Sequence, residues 1–207
     1  MIIGLVGKKR SGKDTVADWL VKYAGFIKYS LADPMKKACK EIFLFSDEQL
    51  WGDKKEEIDE ALGVTPRKIL QVFGTELFQY DIYKHIPELA NKIPPRKLWI
   101  NRFVRWYKRN EHSKWTYNFV TKMERYCFDV VISDVRFPHE AEEIKKLNGM
   151  IIRIERDLPN VDKHASETEM EDIKEDFKIL NDGTIDDLYK KIKKFLGDIY
   201  WDTYIDS

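Results

Sequence analysis

A chain of 207 residues can bury one good core with an appended helical region. Its 35% of charged residues divide into 36 basic and 36 acidic ones, which excludes a general attraction to nucleic acid or an anionic membrane and leaves any anion site to be built locally. The two cysteines, Cys39 and Cys127, lie far apart in apolar stretches and read as buried free thiols, no Cys-x-x-Cys or His-Glu-x-x-His pattern marks a metal site, and no run of about 18 apolar residues is present to span a membrane.

Ile2–Val6 is a short apolar run that reads as a buried strand, too short for a signal sequence, so a cytoplasmic protein is expected. It leads into Gly7-Lys8-Lys9-Arg10-Ser11-Gly12-Lys13-Asp14-Thr15, where two glycines five positions apart are followed at once by a lysine. Glycines let the backbone curl so that several N–H groups face one anion, and the helix start behind them adds a positive dipole end. The stretch therefore reads as a phosphate-binding loop, with Lys13 reaching the β and γ phosphates of a nucleotide. Asp14 stands where a hydroxyl usually follows such a lysine, and a hydroxyl appears one step later at Thr15. That ending points away from GTPases and motors and towards small-molecule kinases. Thr15 can coordinate Mg²⁺, donate to a phosphate or cap the helix.

Thr15–Tyr23 is expected to be helical, with Val16, Trp19 and Leu20 at core spacing and Gly25 past its end. Phe26–Leu31 reads as a second strand. Asp33 is the expected N-cap of a helix that starts at Pro34 and runs to about Phe43. From Ser46 to about Met123 no strand is expected. Thr65-Pro66 opens a helix through Gln71 and Phe73, Ile93-Pro94-Pro95 breaks the chain, and Lys97–Lys108 and Trp115–Arg125 look helical. The strand–helix rhythm resumes with Phe128–Ser133, Pro138–Leu147 closed by Asn148-Gly149, Met150–Ile154, Phe177–Leu180 and a last helix, Ile185–Phe195. Such alternation means a parallel sheet covered on both faces, with its site at the carboxyl ends of the strands. Gly7–Lys13, Asp134, Arg136 and Arg156 all follow strands and are expected on one edge.

Asp134, at the tip of the apolar run Val130-Val131-Ile132-Ser133, is placed to hold Mg²⁺ directly or through water, or else to cap a helix. Arg136, two residues on, can neutralise a transferring phosphoryl group, or form a surface ion pair. Arg67 and Gln71 share a helix face, suited to a substrate phosphate and a base, although a solvated face is the plainer reading. Lys36, Arg96 and Trp99 say little in isolation. Trp99, Trp106 and Trp115 interleaved with Arg102, Arg105, Lys108 and Arg109 also fit a nucleic-acid-binding surface, against which the neutral total charge weighs. Ser166 with Glu169 fits a capping box.

Taken together these residues resemble the deoxynucleoside monophosphate kinases of tailed bacteriophages, within the P-loop nucleoside monophosphate kinases. The resemblance rests on Gly7 to Thr15 with Ala17-Asp18, on Lys28 to Lys36, and on Arg67 to Leu77. It extends to Arg96 three before Trp99, Asp134-Val135-Arg136 with His139-Glu140, Arg156, His164 with Glu167, and Asn181-Asp182-Gly183-Thr184. The stretch from Phe43 to Thr65 is shorter than in some members, which bears on base preference. The resemblance implies an α/β fold, a P-loop NTPase-type three-layer sandwich. Its sheet would have about five parallel strands, and a helical substrate-binding and lid insertion would interrupt it. Residues 1–45 and 126–207 would form the core of a single domain and 46–125 the acceptor-binding region. It implies transfer of the ATP γ-phosphoryl group, with Mg²⁺, to a deoxynucleoside 5′-monophosphate, supplying DNA precursors. Gly7, Lys8, Lys9, Arg10, Ser11, Gly12, Lys13, Asp14 and Thr15 would bind the ATP phosphates. Thr15 and Asp134, the latter through water, would hold the metal. Lys36, Arg67, Gln71, Arg96, Trp99 and Arg136 would bind the acceptor, and Lys13, Arg136 and Arg156 would act in transfer. No stable nucleic-acid partner is expected, and a homodimer is possible. The rival expectations are another P-loop small-molecule kinase, acting on phosphomevalonate or dephospho-coenzyme A, and a nucleotide-dependent nucleic-acid-binding protein.

Overall fold

The computed structural model describes residues 1–111, 115–118, 123–126, 128–157 and 169–205. They divide into two units, Met1–Ser30 with Val104–Ser207, and Leu31–Phe103.

The first unit is built on a five-stranded parallel sheet in the order β2-β5-β1-β6-β7. Its strands are Ile2–Val6 (β1), Ile27–Tyr29 (β2), Val130–Ile132 (β5), Met150–Glu155 (β6) and Phe177–Leu180 (β7). β1 lies at the centre, with Ile3 paired to Val131 of β5 on one side and Gly4 to Ile151 of β6 on the other. Alternate residues face opposite sides. Ile3, Leu5, Val131, Ile152 and Ile154 join Val16 and Leu20 of α1 (Lys13–Ala24) and Leu188, Ile192 and Leu196 of the last helix (Ile185–Ile205) in one core. Each such side chain contributes about 1.5–3 kcal/mol when fully buried. The helix Pro138–Lys146 packs on β1 and β6, burying Ala141 and Ile144. It ends as expected, with Asn148 in the left-handed region (φ 56°) and the Gly149 N–H on Ile144 O. The expected parallel three-layer arrangement is therefore present.

Two local expectations are overturned. Trp115–Arg125 is not helical: Trp115–Asn118 (β3) and Met123–Tyr126 (β4) pair antiparallel, Trp115 opposite Tyr126. Trp, Thr and Tyr favour strands, and here that preference prevails over an aromatic-basic pattern that resembled α6 (Leu98–Asn110). The stretch 46–125 is accordingly not wholly helical. Asp33 is not an N-cap either. Ala32 holds that position of α2 (Asp33–Phe43), and the Asp33 carboxylate accepts from the Trp51 indole N–H at 3.1 Å.

The second unit packs Met35, Cys39, Phe45 and Leu50 against Ile69, Leu70, Phe73 and Trp99. Cys39 is a free, fully buried thiol, and burial pushes its pKa up to about 11; Cys127 lies outside the described residues. Thr65 caps α4 (Pro66–Gln71, after the short α3, Asp47–Leu50) by accepting from the Lys68 N–H at 3.2 Å, as the sequence predicts. The chain then widens into a π-helical run, Val72–Asp81. Gly74 O in this run accepts two side-chain donors, Trp99 Nε1 at 2.8 Å and Gln79 Nε2 at 3.2 Å. A short α5 (Ile82–His85) precedes α6, and α7 (Pro138–Lys146) and α8 (Ile185–Ile205) follow it. Among the described residues no helix is long and apolar enough to cross a membrane.

Candidate active site

Because β1 lies between β5 and β6, the loops leaving the carboxyl ends of these three strands are neighbours, at the point where the strand order reverses. Those loops carry Gly7–Gly12, Asp134 to Arg136, and Arg156.

The first loop is shaped by steric need. Gly7 has φ +152°, and a Cβ there would stand 2.3 Å from Ile154 O, so only glycine fits beside β6. Gly12, the N-cap of α1, is left-handed at φ 106°. Lys13 turns back over the loop, donating through Nζ to Gly7 O and, at 2.8 Å, to Lys8 O. Ser11 is 1% exposed, and its Oγ has no hydrogen-bond partner among the described residues. A buried donor left open beside a lysine and a helix N-terminus suits an anion. Lys8 lies 3.9 Å from Glu171, and Lys9 and Arg10 are exposed.

Asp14 points outward to Lys28 at 3.1 Å, and Lys28 also binds Asp18 at 2.9 Å. Burial works against the Lys28 ammonium, but the two carboxylates outweigh it and hold its pKa above the ordinary lysine value. Thr15 is the third residue of α1 and Gly12 its cap, so Thr15 does not cap the helix. A cavity of about 370 Å³ collects Gly12, Lys13, Thr15, Arg156, Asn181 and Leu188. A larger cavity, about 640 Å³, runs past Gly7, Lys8, Arg153 and Lys178. Of these two, the smaller one holds Lys13 and Thr15 and is the candidate donor site.

Asp134 does not cap α7, whose N-cap is Phe137. Its Oδ2 accepts the Ser30 hydroxyl at 2.8 Å, and this bond ties the end of β5 to the end of β2. A hydroxyl at Thr15 and a carboxylate at Asp134 are hard oxygen donors of the kind Mg²⁺ takes alongside substrate phosphates. No cluster of three or more His, Cys, Asp or Glu is found among the described residues, and a metal held largely by substrate needs none.

Glu140 braces the segment that carries Asp134 and Arg136. Its Oε2 accepts the backbone N–H groups of Arg136 (2.8 Å) and Phe137 (3.1 Å), and the residue is 5% exposed. Burial pushes its carboxyl up to about 7, against the two N–H bonds that favour the anion. Between the unfolded value of about 4.5 and this folded value the native state binds the extra proton. Stability therefore falls as pH rises through that window. Glu140→Gln keeps an oxygen for both N–H groups and removes the titration. The drop in unfolding free energy between pH 5 and pH 8, read from urea denaturation, should shrink by roughly 2–3 kcal/mol in this variant.

The expected acceptor residues lie in the second unit. Arg67 pairs with Glu56 at 3.3 Å. Lys36 lies over the Trp51 ring at 5.7 Å. Arg96 is left-handed (φ 68°), its N–H bonded to Gln79 O. Trp99 spends its indole N–H on Gly74 O and packs on Phe78. Gln71 ends α4, one turn from Arg67. His164, Ser166 and Glu167 fall outside the described residues. Sequence reasoning gave no role to Ser30 or Glu140. Ser30 becomes visible only with the β2–β5 register, whereas Phe137-Pro138-His139-Glu140 carried a readable signal, a glutamate at the third position of a helix.

A family model described as deoxynucleotide monophosphate kinase matches residues 1–58 and 97–192. The chain is 42% identical over 197 residues to a protein of Acanthamoeba polyphaga mimivirus provisionally named deoxynucleotide monophosphate kinase, with 93% of this chain and 94% of that protein covered. It is 28% identical over 248 residues to the deoxynucleotide monophosphate kinase of Escherichia phage RB69, covering 94% and 99%. With that of Enterobacteria phage T4 it shares 24% identity over 239 residues, covering 94% and 98%. A phosphate loop ending in Gly12-Lys13-Asp14-Thr15, an acid and an arginine at the tip of the adjoining strand, and these relatives agree: the chain belongs to the deoxynucleotide monophosphate kinase family.

Proposed function

We propose that the protein transfers the γ-phosphoryl group of ATP to a deoxynucleoside 5′-monophosphate, giving ADP and the diphosphate. The observation that carries this reading is Lys13, laid over a phosphate loop whose neighbouring strand ends in Asp134 and Arg136. The N–H groups of Gly7 to Thr15 and the Lys13 ammonium receive the β and γ phosphates. Lys13 exchanges its bonds to Gly7 O and Lys8 O for phosphate oxygens. The Thr15 hydroxyl and the Asp134 carboxylate, the latter oriented by Ser30, are the residues that would hold Mg²⁺, and when bound the ion neutralises phosphate charge. Arg136 and Arg156 offset the charge that develops on the transferring group. Arg67, Arg96 and Lys36 grip the acceptor phosphate, Arg67 leaving Glu56 to do so. Gln71 and the ring face of Trp99 contact the base. Exclusion of water protects ATP from hydrolysis. We place the reaction in the cytoplasm.

A coupled ADP-release assay with dAMP, dCMP, dGMP and dTMP, run beside phosphomevalonate and dephospho-coenzyme A, tests this. At least one deoxynucleotide should stimulate ADP release well above the acceptor-free rate. Turnover of either rival acceptor with none of the four nucleotides sinks the proposal.

A further inference from the structure

Asn181 follows β7 and touches the phosphate loop. Its backbone N–H donates to Glu155 O, at the end of β6, at 2.7 Å. Its side-chain Nδ2 donates to Ser11 O at 2.9 Å. The fit is close: a Cβ on Gly12 would stand 2.6 Å from that Nδ2. One residue thus ties the peptide between Ser11 and Gly12 to the frame of the sheet.

Gly12 is left-handed, and glycine can rotate its neighbouring peptide at little steric cost. In a trans peptide the C=O and the N–H point in opposite directions. Holding Ser11 O towards Asn181 therefore turns the Gly12 N–H to the other side, away from Asn181. A flip would exchange that donor for a carbonyl oxygen, and a carbonyl oxygen facing a polyphosphate is repulsive. The asparagine is suited to the task because its amide donates without carrying a charge into a site meant for an anion.

We propose that Asn181 is a positioning residue for the phosphate loop: it locks the Ser11–Gly12 peptide in its donor-presenting orientation and so sets the affinity for the nucleoside triphosphate, without itself taking part in transfer. The inference rests on ATP being the donor and is read by direct ATP binding with no acceptor present, so that the acceptor screen can fail while this remains decidable.

The test measures the Kd of ATP for wild type, Asn181→Ala and Asn181→Asp by isothermal titration calorimetry, with melting temperatures alongside. Wild type binds ATP, and Asn181→Ala binds it roughly tenfold more weakly, the scale of one lost neutral hydrogen bond. The KM of the deoxynucleotide stays within about twofold. Asn181→Asp adds a readout that a plain tether would not move. Its carboxylate cannot donate to Ser11 O, whereas its protonated form can, so the deficit against wild type is large at pH 8 and shrinks only as pH falls to about 4, where an aspartate carboxyl takes up its proton. An ATP Kd within about twofold of wild type in both variants overturns the proposal, whatever the melting temperature does. So does a deficit in Asn181→Asp that is constant with pH. Should Asn181→Ala fail to fold, Asn181→Asp decides alone. Failure of both to fold makes Asn181 a folding residue and overturns the proposal. A wild-type protein that binds no ATP overturns the donor assignment and this inference together.

Discussion

Replacing Lys13 with alanine should lower turnover by about 100-fold or more while the protein stays folded, because a fixed cation aimed at charge that builds during phosphoryl transfer is worth that much. The side chain has two duties in the structure. It donates to Gly7 O and Lys8 O, closing the loop on itself, and in the proposed reaction it lends its positive charge to the β and γ phosphates. Loss of the first costs little stability, since the loop is also fixed by the Gly7 contact with β6 and by Asn181. The melting temperature should therefore move by only a few degrees. Lys13→Met, which keeps the apolar stem, should be as inactive as the alanine variant. Retention of more than roughly a tenth of the activity in either would contradict the assignment.

Arg136→Ala should separate transfer from binding. We expect kcat to fall by about 10²–10³-fold and the ATP Kd to change by less than about threefold. The loop survives loss of the side chain because the Arg136 N–H is held by the Glu140 carboxylate. Single-turnover rates with saturating ATP and deoxynucleotide, set beside calorimetric ATP binding, measure both quantities. An equal loss of ATP affinity would move Arg136 into the donor half of the site or into the fold.

Much of this arrangement was legible before any coordinates. The run Ile2–Val6, the glycines at 7 and 12, Lys13, the apolar strand before Asp134 and the Asn148-Gly149 stop each carry a local physical signal, and each element stands where that signal put it, to within a few residues. What was not legible is non-local. Ser30 bonds Asp134 across 104 positions of chain, and Asn181 bonds Ser11 across 170. Such pairs follow from strand order, and no pattern in one segment announces them. Glu140 is different in kind. Its place in the helix was readable, but its shifted ionisation comes from burial beneath the loop it braces. The π-helical run after Gln71 was also hidden, because its apolar spacing differs little from that of an ordinary helix over ten residues. The hairpin of β3 and β4 was misread where local preference and side-chain pattern disagreed.

Cys39 has a practical consequence. Only a thiolate reacts with an alkylating reagent, and a thiol that ionises near 11 inside a closed core is silent at neutral pH. Its labelling by iodoacetamide must then await opening of the Leu31–Phe103 unit, and the alkylation half-life becomes a clock for that opening. Mapping the labelled peptide by mass spectrometry separates it from Cys127. A ligand that holds this unit closed should lengthen the half-life by the factor 1 + [L]/Kd, so one native atom reports acceptor engagement without any turnover.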